Sequence, residues 1–365
     1  MPPLPESHLP YTDKYFIRSR LILAREGLSP RATIQVFFRN GPGVLQGVAE
    51  AAELFRAYSP LAEHGGTVMA LPDGSPFSPL EPVMHIEGPI QDFIELETMY
   101  LGVLTARTSQ ANGLAAPDLA AVAAKAGAIR RLVPDKGLMY FGARHWHWSM
   151  EAAISRAAVA AGFDSCATDA GAAAAGLAAG VGTIPHALIL VFAHHVGPEH
   201  ATREATLAFD RHIEPECGRI ALVDTFNHEI DDALDTARAL GDRLQGVRLD
   251  TAGELMAQGG TPFDGRAFVT GQGVTVAGTL ALRRALDAAG LQHVGIVLSS
   301  GFGNPAKVAA FAAAEREHGR LFDSLGIGGL FDAWCATADI VRIEGRDLAK
   351  TGRGYRANPR LQRIL

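Results

Sequence analysis

Short apolar runs that end abruptly in charged and hydroxyl side chains mark the central part of this chain. The clearest two are residues 222–226 (LVDTF) and 246–251 (GVRLDT), and the apolar positions of 229–240 between them have helical spacing. Strands that alternate with helices predict a parallel sheet. In such a sheet the residues just after each strand gather at one rim, where ligands bind. Two aspartates and an arginine at one rim suit a ligand that carries phosphates and hydroxyls.

The same alternation extends over most of residues 116–339. Helical patterns separate the apolar runs, and about six or seven such units predict a closed or nearly closed α/β barrel. The predicted strands are 138–141, 163–167, 181–184, 220–223, 246–249, 294–298 and 324–327, and the predicted helices include 118–128, 150–161 and 170–179.

The first 115 residues have a different texture. Strand patterns at 34–39 and 83–88 flank a helical pattern at 47–58 and a turn-rich segment at 71–82, which predicts an α+β region. The segment after residue 339 again has a β pattern and could return to this region. We therefore expect two domains, one made of 1–115 joined by 340–365 and the other of 116–339.

Composition narrows the function classes. The chain has 365 residues and a formal net charge of -6, which does not indicate a nucleic-acid-binding surface. Its start lacks a secretory pattern, and its most apolar run, 186–195, is too short to span a bilayer. The three cysteines are widely spaced and predict neither a disulfide scaffold nor a zinc site. A cytoplasmic protein without membrane or nucleic-acid partners is expected.

Four further strand ends carry candidate chemistry. Glycine-bearing loops at 299–304 and 326–329 would let backbone N–H groups approach a phosphate. Each candidate has a simpler alternative: glycines after strands often only form turns, Arg248 and Asp250 are able to pair with each other, and a lone histidine is more often structural. The two histidines of HWH lack a third ligand at a standard separation, so no metal site is predicted there. The other two strand ends supply Phe141, Arg144 and His145, and Thr183 and His186.

An ordered set of motifs resembles the nicotinate phosphoribosyltransferases, in the shorter archaeal-like branch of the type II phosphoribosyltransferases that also include quinolinate and nicotinamide enzymes. The motifs are YTDKYFIR at 11–18, EPVMHIEGP at 81–89, ETMYLG within 95–102, FGARH at 141–145, GTIPHAL at 182–188, LVDTF, GVRLDT and the ending at 349–361. The resemblance implies an N-terminal α/β sandwich domain and an incomplete α/β barrel. It also implies a homodimer, or a higher homo-oligomer, with shared active sites.

The reaction implied by the resemblance joins nicotinate to 5-phosphoribosyl 1-diphosphate, giving nicotinate mononucleotide and diphosphate for NAD synthesis. It implies Mg²⁺ with the diphosphate near Asp224 and Asp250, and ATP coupling through a phosphorylated His186. Phe141 and a Tyr15 from the other subunit would stack on the pyridine, while Arg144 would meet its carboxylate. The implied site comprises catalytic His186, Asp224 and Asp250; substrate contacts Tyr15, Phe141, Arg144, His145, Thr183 and Arg248; and phosphate contacts Ser300, Gly301, Gly328, Gly329 and Lys350.

Three positions depart from the family pattern. SSGFGN at 299–304 stands where SGG is usual, and His147-Trp148 replaces a His-Pro pair. Asp169 adds a negative charge near the expected base pocket, where it would repel a pyridine acid unless it faces away. The alternatives are a phosphoribosyltransferase for another pyridine or heteroaromatic base (nicotinamide, quinolinate or a specialised acid), or a nucleotide-binding paralogue without catalysis.

Overall fold

The computed structural model describes residues 3–365 and shows a mixed α/β protein with two six-stranded sheets and a small two-stranded one. The predicted fold class is confirmed. No helix in the described part of the chain is both long and apolar enough to cross a membrane.

The strands and helices are numbered in chain order. The strands are β1 (Arg31–Phe38), β2 (Gly43–Val44), β3 (Thr67–Ala70), β4 (Pro76–Phe77), β5 (Pro82–Pro89), β6 (Gly137–Tyr140), β7 (Ser165–Cys166), β8 (Ile220–Leu222), β9 (Gly246–Leu249), β10 (Gly295–Leu298), β11 (Ser324–Ile327), β12 (Ala336–Ile343), β13 (Arg346–Asp347) and β14 (Gln362–Arg363). The α-helices are α1 (Lys14–Arg25), α2 (Val48–Tyr58), α3 (Glu97–Ala111), α4 (Leu119–Leu132), α5 (Glu151–Ala160), α6 (Asp169–Ala174), α7 (His186–Val196), α8 (Pro198–His212), α9 (Glu229–Leu240), α10 (Val276–Ala288) and α11 (Pro305–His318).

The first sheet has the order β13-β12-β1-β5-β3-β14, and all its pairings are antiparallel. Seven of the eight residues of β1 are buried, as expected for a central strand that pairs on both sides. The end of the chain pairs with this sheet, because β12 lies beside β1 and β14 beside β3. Helices α7 and α8, from within 116–339, also add apolar side chains to this core. The domain boundaries stay a prediction.

The second sheet is parallel, with the order β7-β6-β11-β10-β9-β8. Its edge strands β7 and β8 pair with one neighbour each within the described residues, so the barrel is open on that side. This agrees with the expected incomplete α/β barrel. Helices α4, α5, α9, α10 and α11 pack their apolar side chains on it.

The predicted strand at 181–184 is wrong. The segment belongs to no sheet, and α7 begins at His186 after Pro185. Two features explain this: Pro185 lacks an N–H, and Gly182 has a φ of +151°. A Cβ at Gly182 would lie 3.1 Å from the Tyr15 nitrogen, so this segment packs against α1 instead of a strand. The helix predicted at 170–179 also ends early, at Ala174.

Candidate active site

The carboxyl ends of β6, β9, β10 and β11 open into one cavity of about 650 Å³. Because parallel strands present these ends at the same rim, residues far apart in the chain meet there. Ten of the residues expected from the sequence line it: Tyr15, Phe141, Arg144, His145, Arg248, Asp250, Ser300, Gly301, Gly328 and Gly329.

A second cavity of similar volume adjoins the first and lies towards the first sheet. It shares Arg144, Arg248 and Asp250 with the first cavity and adds His186 and Lys350. Its wall also holds residues that the sequence did not single out, namely Arg39, Glu97, Glu254, Asp339 and Arg353. The two cavities share part of their walls, and both are lined by several charged side chains.

Arg248 is the most informative side chain of this space. It is only 7% exposed, lines both cavities, and its Nε has no hydrogen-bond partner among the described residues. No ion pair joins Arg248 to Asp250 in the part of the chain that is described, so the simple rim pairing is not observed. A buried guanidinium without a partner is costly, which indicates that an anionic ligand completes it.

At one end of the first cavity, Tyr15 and Arg144 are held together. Arg144 Nη1 donates to the Tyr15 hydroxyl at 2.6 Å, and that hydroxyl lies 3.3 Å from the buried Asp13 carboxylate. Burial raises the pKa of Tyr15, so its side chain stays a neutral phenol. The Tyr15 oxygen, which accepts from Arg144, and the nearby Asp13 raise the pKa of Arg144 and keep it charged. The Tyr15 in this cavity belongs to the same chain as Phe141, and the expectation that a partner subunit supplies a Tyr15 stays a prediction.

Phe141 provides an aromatic surface at the same cavity. Its ring packs over Gly326, where a Cβ would lie 2.5 Å from ring carbons. Only glycine fits there, because any side chain would push the ring out of place. Next to it, His145 lies against Gly328. Burial, and after it the nearby charge of Arg144, lower the pKa of His145 to about 4. His145 is therefore neutral at physiological pH.

The two glycine loops form the opposite end of the first cavity. Ser300 and Gly301 both have left-handed φ values, +70° and +81°. The loops touch, since a Cβ at Gly303 would lie 2.2 Å from the Gly329 carbonyl oxygen. Within the described residues, the N–H groups of Ser300, Gly301, Gly328 and Gly329 donate to no protein acceptor. Free N–H groups in such loops suit an anion, and Ser300 and Gly301 lie shortly before the N-terminus of α11.

Asp224, His186 and Lys350 form a buried cluster beside the second cavity. Lys350 Nζ donates to the Asp224 carboxylate and lies 2.9 Å from His186 Nε2, which is itself 3.1 Å from Asp224 Oδ2. Burial alone would raise the pKa of Asp224, but Lys350 and His186 outweigh it and hold that pKa well below its usual range. Burial and Lys350 lower the pKa of His186. The Asp224 side chain is fully buried and lines neither cavity, so it acts through its two partners.

Two expected features lie elsewhere. The Thr183 hydroxyl donates to the Ile220 carbonyl at 3.1 Å and lines a third cavity of about 380 Å³, whose wall also includes Phe141 and Arg248. Asp169 pairs with Lys14 at 2.5 Å and accepts from the Gly180 N–H at 2.9 Å. Its charge is thus neutralised, and it lines neither of the first two cavities.

Of the residues that the sequence analysis missed, Glu97 begins α3, Glu254 follows β9, and the other three lie on the first sheet or in the tail that returns to it. Arg39 directly follows β1, Asp339 lies within β12, and Arg353 follows Lys350 in the returning tail. Arg353 pairs with Asp339 at 2.8 Å and also with Glu254. The predicted return of the tail to the N-terminal region was the signal for Arg353.

The donor set around the cavities bears on metal binding. No group of three or more histidine, cysteine, aspartate or glutamate side chains in the described residues could hold a metal ion. Of the two aspartates expected near Mg²⁺, Asp250 lines both cavities, whereas the oxygens of Asp224 are engaged by His186 and Lys350. Asp250 is thus the carboxylate that fits a magnesium ion held mainly by a ligand.

Comparison with known proteins supports one family. A family model described as quinolinate phosphoribosyl transferase, N-terminal domain, matches residues 13–108. No match was found among curated proteins. The crystal structure of a nicotinate-nucleotide pyrophosphorylase from Pyrococcus furiosus is 31% identical over 97% of this chain and 81% of its own, with a TM-score of 0.48.

Two other solved structures show the likeness of the fold. The nicotinate phosphoribosyltransferase from Porphyromonas gingivalis has a TM-score of 0.70 at 16% identity, covering 95% of this chain and 93% of its own. The enzyme of the same name from Vibrio cholerae has a TM-score of 0.66 at 16% identity, covering 96% and 89%. The family-model match over residues 13–108 and the likeness to these two structures show that the chain has the fold of the type II phosphoribosyltransferases.

Proposed function

We propose that this protein joins nicotinate to 5-phosphoribosyl 1-diphosphate, giving nicotinate mononucleotide and diphosphate as a step in NAD synthesis. The observation that carries the proposal is the first cavity, which has an aromatic and guanidinium end and a phosphate-binding end. A pyridine acid linked to a ribose 5-phosphate has the same two ends. Arg248 lies in the wall that both cavities share and supplies a cation for the reacting centre.

The base would lie against Phe141 and Tyr15. Arg144 is charged and able to meet a carboxylate with two parallel hydrogen bonds. Tyr15 and Lys350 come from the same chain as Phe141, and all expected site residues of this chain except Thr183 and Asp224 line the two cavities. The homodimer stays a prediction.

The transfer needs no protein nucleophile, since the pyridine nitrogen attacks the anomeric carbon as the diphosphate departs. Positive charge develops on the ribose, and the Asp250 carboxylate stabilises it. Asp250 is also placed to hold a magnesium ion on the diphosphate, and that ion would supply part of the neutralisation of the leaving group. The main task of the protein is to hold ring and ribose in line, which the two ends of the cavity do.

ATP coupling is part of the proposal and rests on His186. Its lowered pKa keeps the imidazole neutral, and a neutral ring nitrogen is a nucleophile. Lys350, 2.9 Å away, together with Arg39 and Arg353 in the same cavity, suits a polyphosphate. The γ-phosphoryl group would pass to His186 with release of ADP, and water would later release phosphate.

One observation favours a second candidate base, nicotinamide. Two buried carboxyl groups, Asp13 and Glu97, lie near Arg144, and the Asp13 carboxylate, 3.8 Å from Arg144 Nη1, offsets part of its charge. Burial raises the pKa of Glu97 to about 8, so it is largely protonated at neutral pH and could hydrogen-bond an amide. An uncharged base would then have a smaller desolvation cost than an acid on entering the site.

The test is release of diphosphate from 5-phosphoribosyl 1-diphosphate with nicotinate, nicotinamide or quinolinate, each with and without ATP. Turnover is expected with nicotinate and increased by ATP. Turnover with nicotinamide alone would support the second candidate, and no turnover with any of the three would refute both. A His186→Asn variant should keep transfer but lose the ATP effect.

A further inference from the structure

Two lysines stand behind the two glycine loops of the first cavity. Lys307, in the first turn of α11, donates from Nζ to the Ser300 carbonyl oxygen at 2.8 Å. Lys125, on α4, donates from Nζ to the Gly329 carbonyl oxygen, also at 2.8 Å. Each loop is therefore held by one lysine from a helix of the barrel wall.

These bonds explain the conformation of the loops. Ser300 has a φ of +70°, a strained value for a residue with a side chain. Such strain persists only when the surroundings hold the residue in place, and the Lys307 bond to its carbonyl is one such restraint. With the carbonyl oxygens of Ser300 and Gly329 engaged by lysines, the free N–H groups of the loops remain available to a ligand.

The charges of these lysines also lack a local partner. Neither Lys125 nor Lys307 forms an ion pair with a carboxylate among the described residues, although Lys307 is only 7% exposed. Its Nζ lies 4.5 Å from the Phe302 ring, a contact that offsets only part of the cost of burial. A buried cation with an aromatic contact and one carbonyl bond fits a site that an anion completes.

We propose that Lys125 and Lys307 are positioning residues of the phosphate pocket, which hold the two loops in the phosphate-binding conformation and add two positive charges behind it. The inference rests on the proposed phosphoribosyl substrate and extends it. The pocket selects a doubly charged phosphate ester over the unphosphorylated sugar. Lys125 and Lys307, which lie on helices and not at strand ends, would thus contribute to substrate binding.

Binding of ribose 5-phosphate and of ribose, measured by calorimetry on the full chain, tests this directly. Lys307→Met should weaken ribose 5-phosphate binding by about tenfold to a hundredfold, the effect of one hydrogen bond from a charged group. Lys125→Met should weaken it less, because Lys125 is more exposed. Lys136→Met is the matched control: Lys136 pairs with Glu315 outside both cavities, so binding should not change.

The pH dependence separates a charge effect from a merely structural one. Burial lowers the pKa of Lys307 to about 8, although the nearby Asp250 carboxylate acts to raise it. The other charged groups at this cavity are Lys125, Arg144 and Arg248, and His145 is neutral above pH 5. Wild-type affinity for ribose 5-phosphate should therefore fall as pH rises from 7 to 9. Lys307→Arg should keep most of the affinity and lose this fall.

The outcomes distinguish the inference from the proposed function. If the wild type does not bind ribose 5-phosphate, the proposed function fails. If the wild type binds and Lys307→Met binds equally well, the positioning inference fails. Should Lys307→Met not fold, Lys307→Arg and Lys125→Met decide: unchanged affinity in Lys125→Met and an unchanged pH profile in Lys307→Arg would overturn the inference.

Discussion

Replacing Lys350 with methionine should reveal how the buried cluster with Asp224 and His186 works. The Asp224 side chain is fully buried, and Lys350 is the first of the groups that lower its pKa. Removing one partner of a buried ion pair costs roughly 3–5 kcal/mol, since the other charge is left without compensation. With an unfolding entropy of roughly 2.1 cal/mol/K per residue, this corresponds to a Tm lower by about 4–7 °C for the 365-residue chain.

His186 should respond to the same change. In the wild type, burial and then Lys350 lower its pKa, while Asp224 raises it. Without Lys350, burial still lowers the pKa of His186 but Asp224 and Asp250 both raise it, so this pKa should rise and the ring should take up a proton. The new His186–Asp224 ion pair would recover part of the lost stability at acidic pH.

The sign of the pH effect follows from the direction of each pKa change. A histidine whose folded pKa is lowered makes the wild type lose stability as pH falls below about 6.5, because the unfolded chain binds more protons. A histidine whose folded pKa is raised has the opposite effect, and its stabilisation is lost as pH rises through the folded pKa. The stability deficit of Lys350→Met should therefore shrink between pH 8 and pH 5.5.

Urea unfolding of both proteins at several pH values between 5.5 and 8 measures this deficit. The control is Lys136→Met, which removes a lysine from Glu315, 2.9 Å away, in a pair that contacts no histidine within the described residues. Its deficit should stay constant over the same range. Equal midpoints for Lys350→Met and wild type, or a deficit that grows towards pH 5.5, would refute the electrostatic account of the cluster.

Three further predictions concern other buried groups. Arg248→Met should raise the stability of the ligand-free protein by about 1–3 kcal/mol, because it removes an unpartnered buried cation. Thermal unfolding measures this change, and a less stable variant would contradict it. The same variant should lose binding of ribose 5-phosphate, which calorimetry measures. Burial raises the pKa of Glu151 from 4.5 to about 7, which corresponds to roughly 3 kcal/mol of stability lost as pH rises through 7. Glu151→Gln should remove that dependence in urea unfolding, and an unchanged pH profile would count against it. Gly303→Ala would place a Cβ 2.2 Å from the Gly329 carbonyl oxygen, so ribose 5-phosphate binding should weaken at least about tenfold, and unchanged binding would mean that the two loops can separate without loss.

The sequence by itself determined the barrel strands and the residues that follow them. The helix predicted at 229–240 and the strands predicted at 246–249 and 324–327 have the same bounds in the structure. Apolar period and turn residues specify such elements, because both act between neighbours along the chain. Where these signals are weak, as at 181–184, the local pattern predicted a strand that the structure does not contain.

Only the tertiary structure decided how the cavities are completed. Arg39 and Asp339 reach the second cavity because β12 pairs with β1, and no local pattern marks either residue as functional. The same holds for Lys125 and Lys307, whose carbonyl partners belong to loops that precede α11 or follow β11. Hydrogen bonds and ion pairs between residues distant in sequence depend on packing of the whole chain, so local periodicity could predict the rim but not the charges around it.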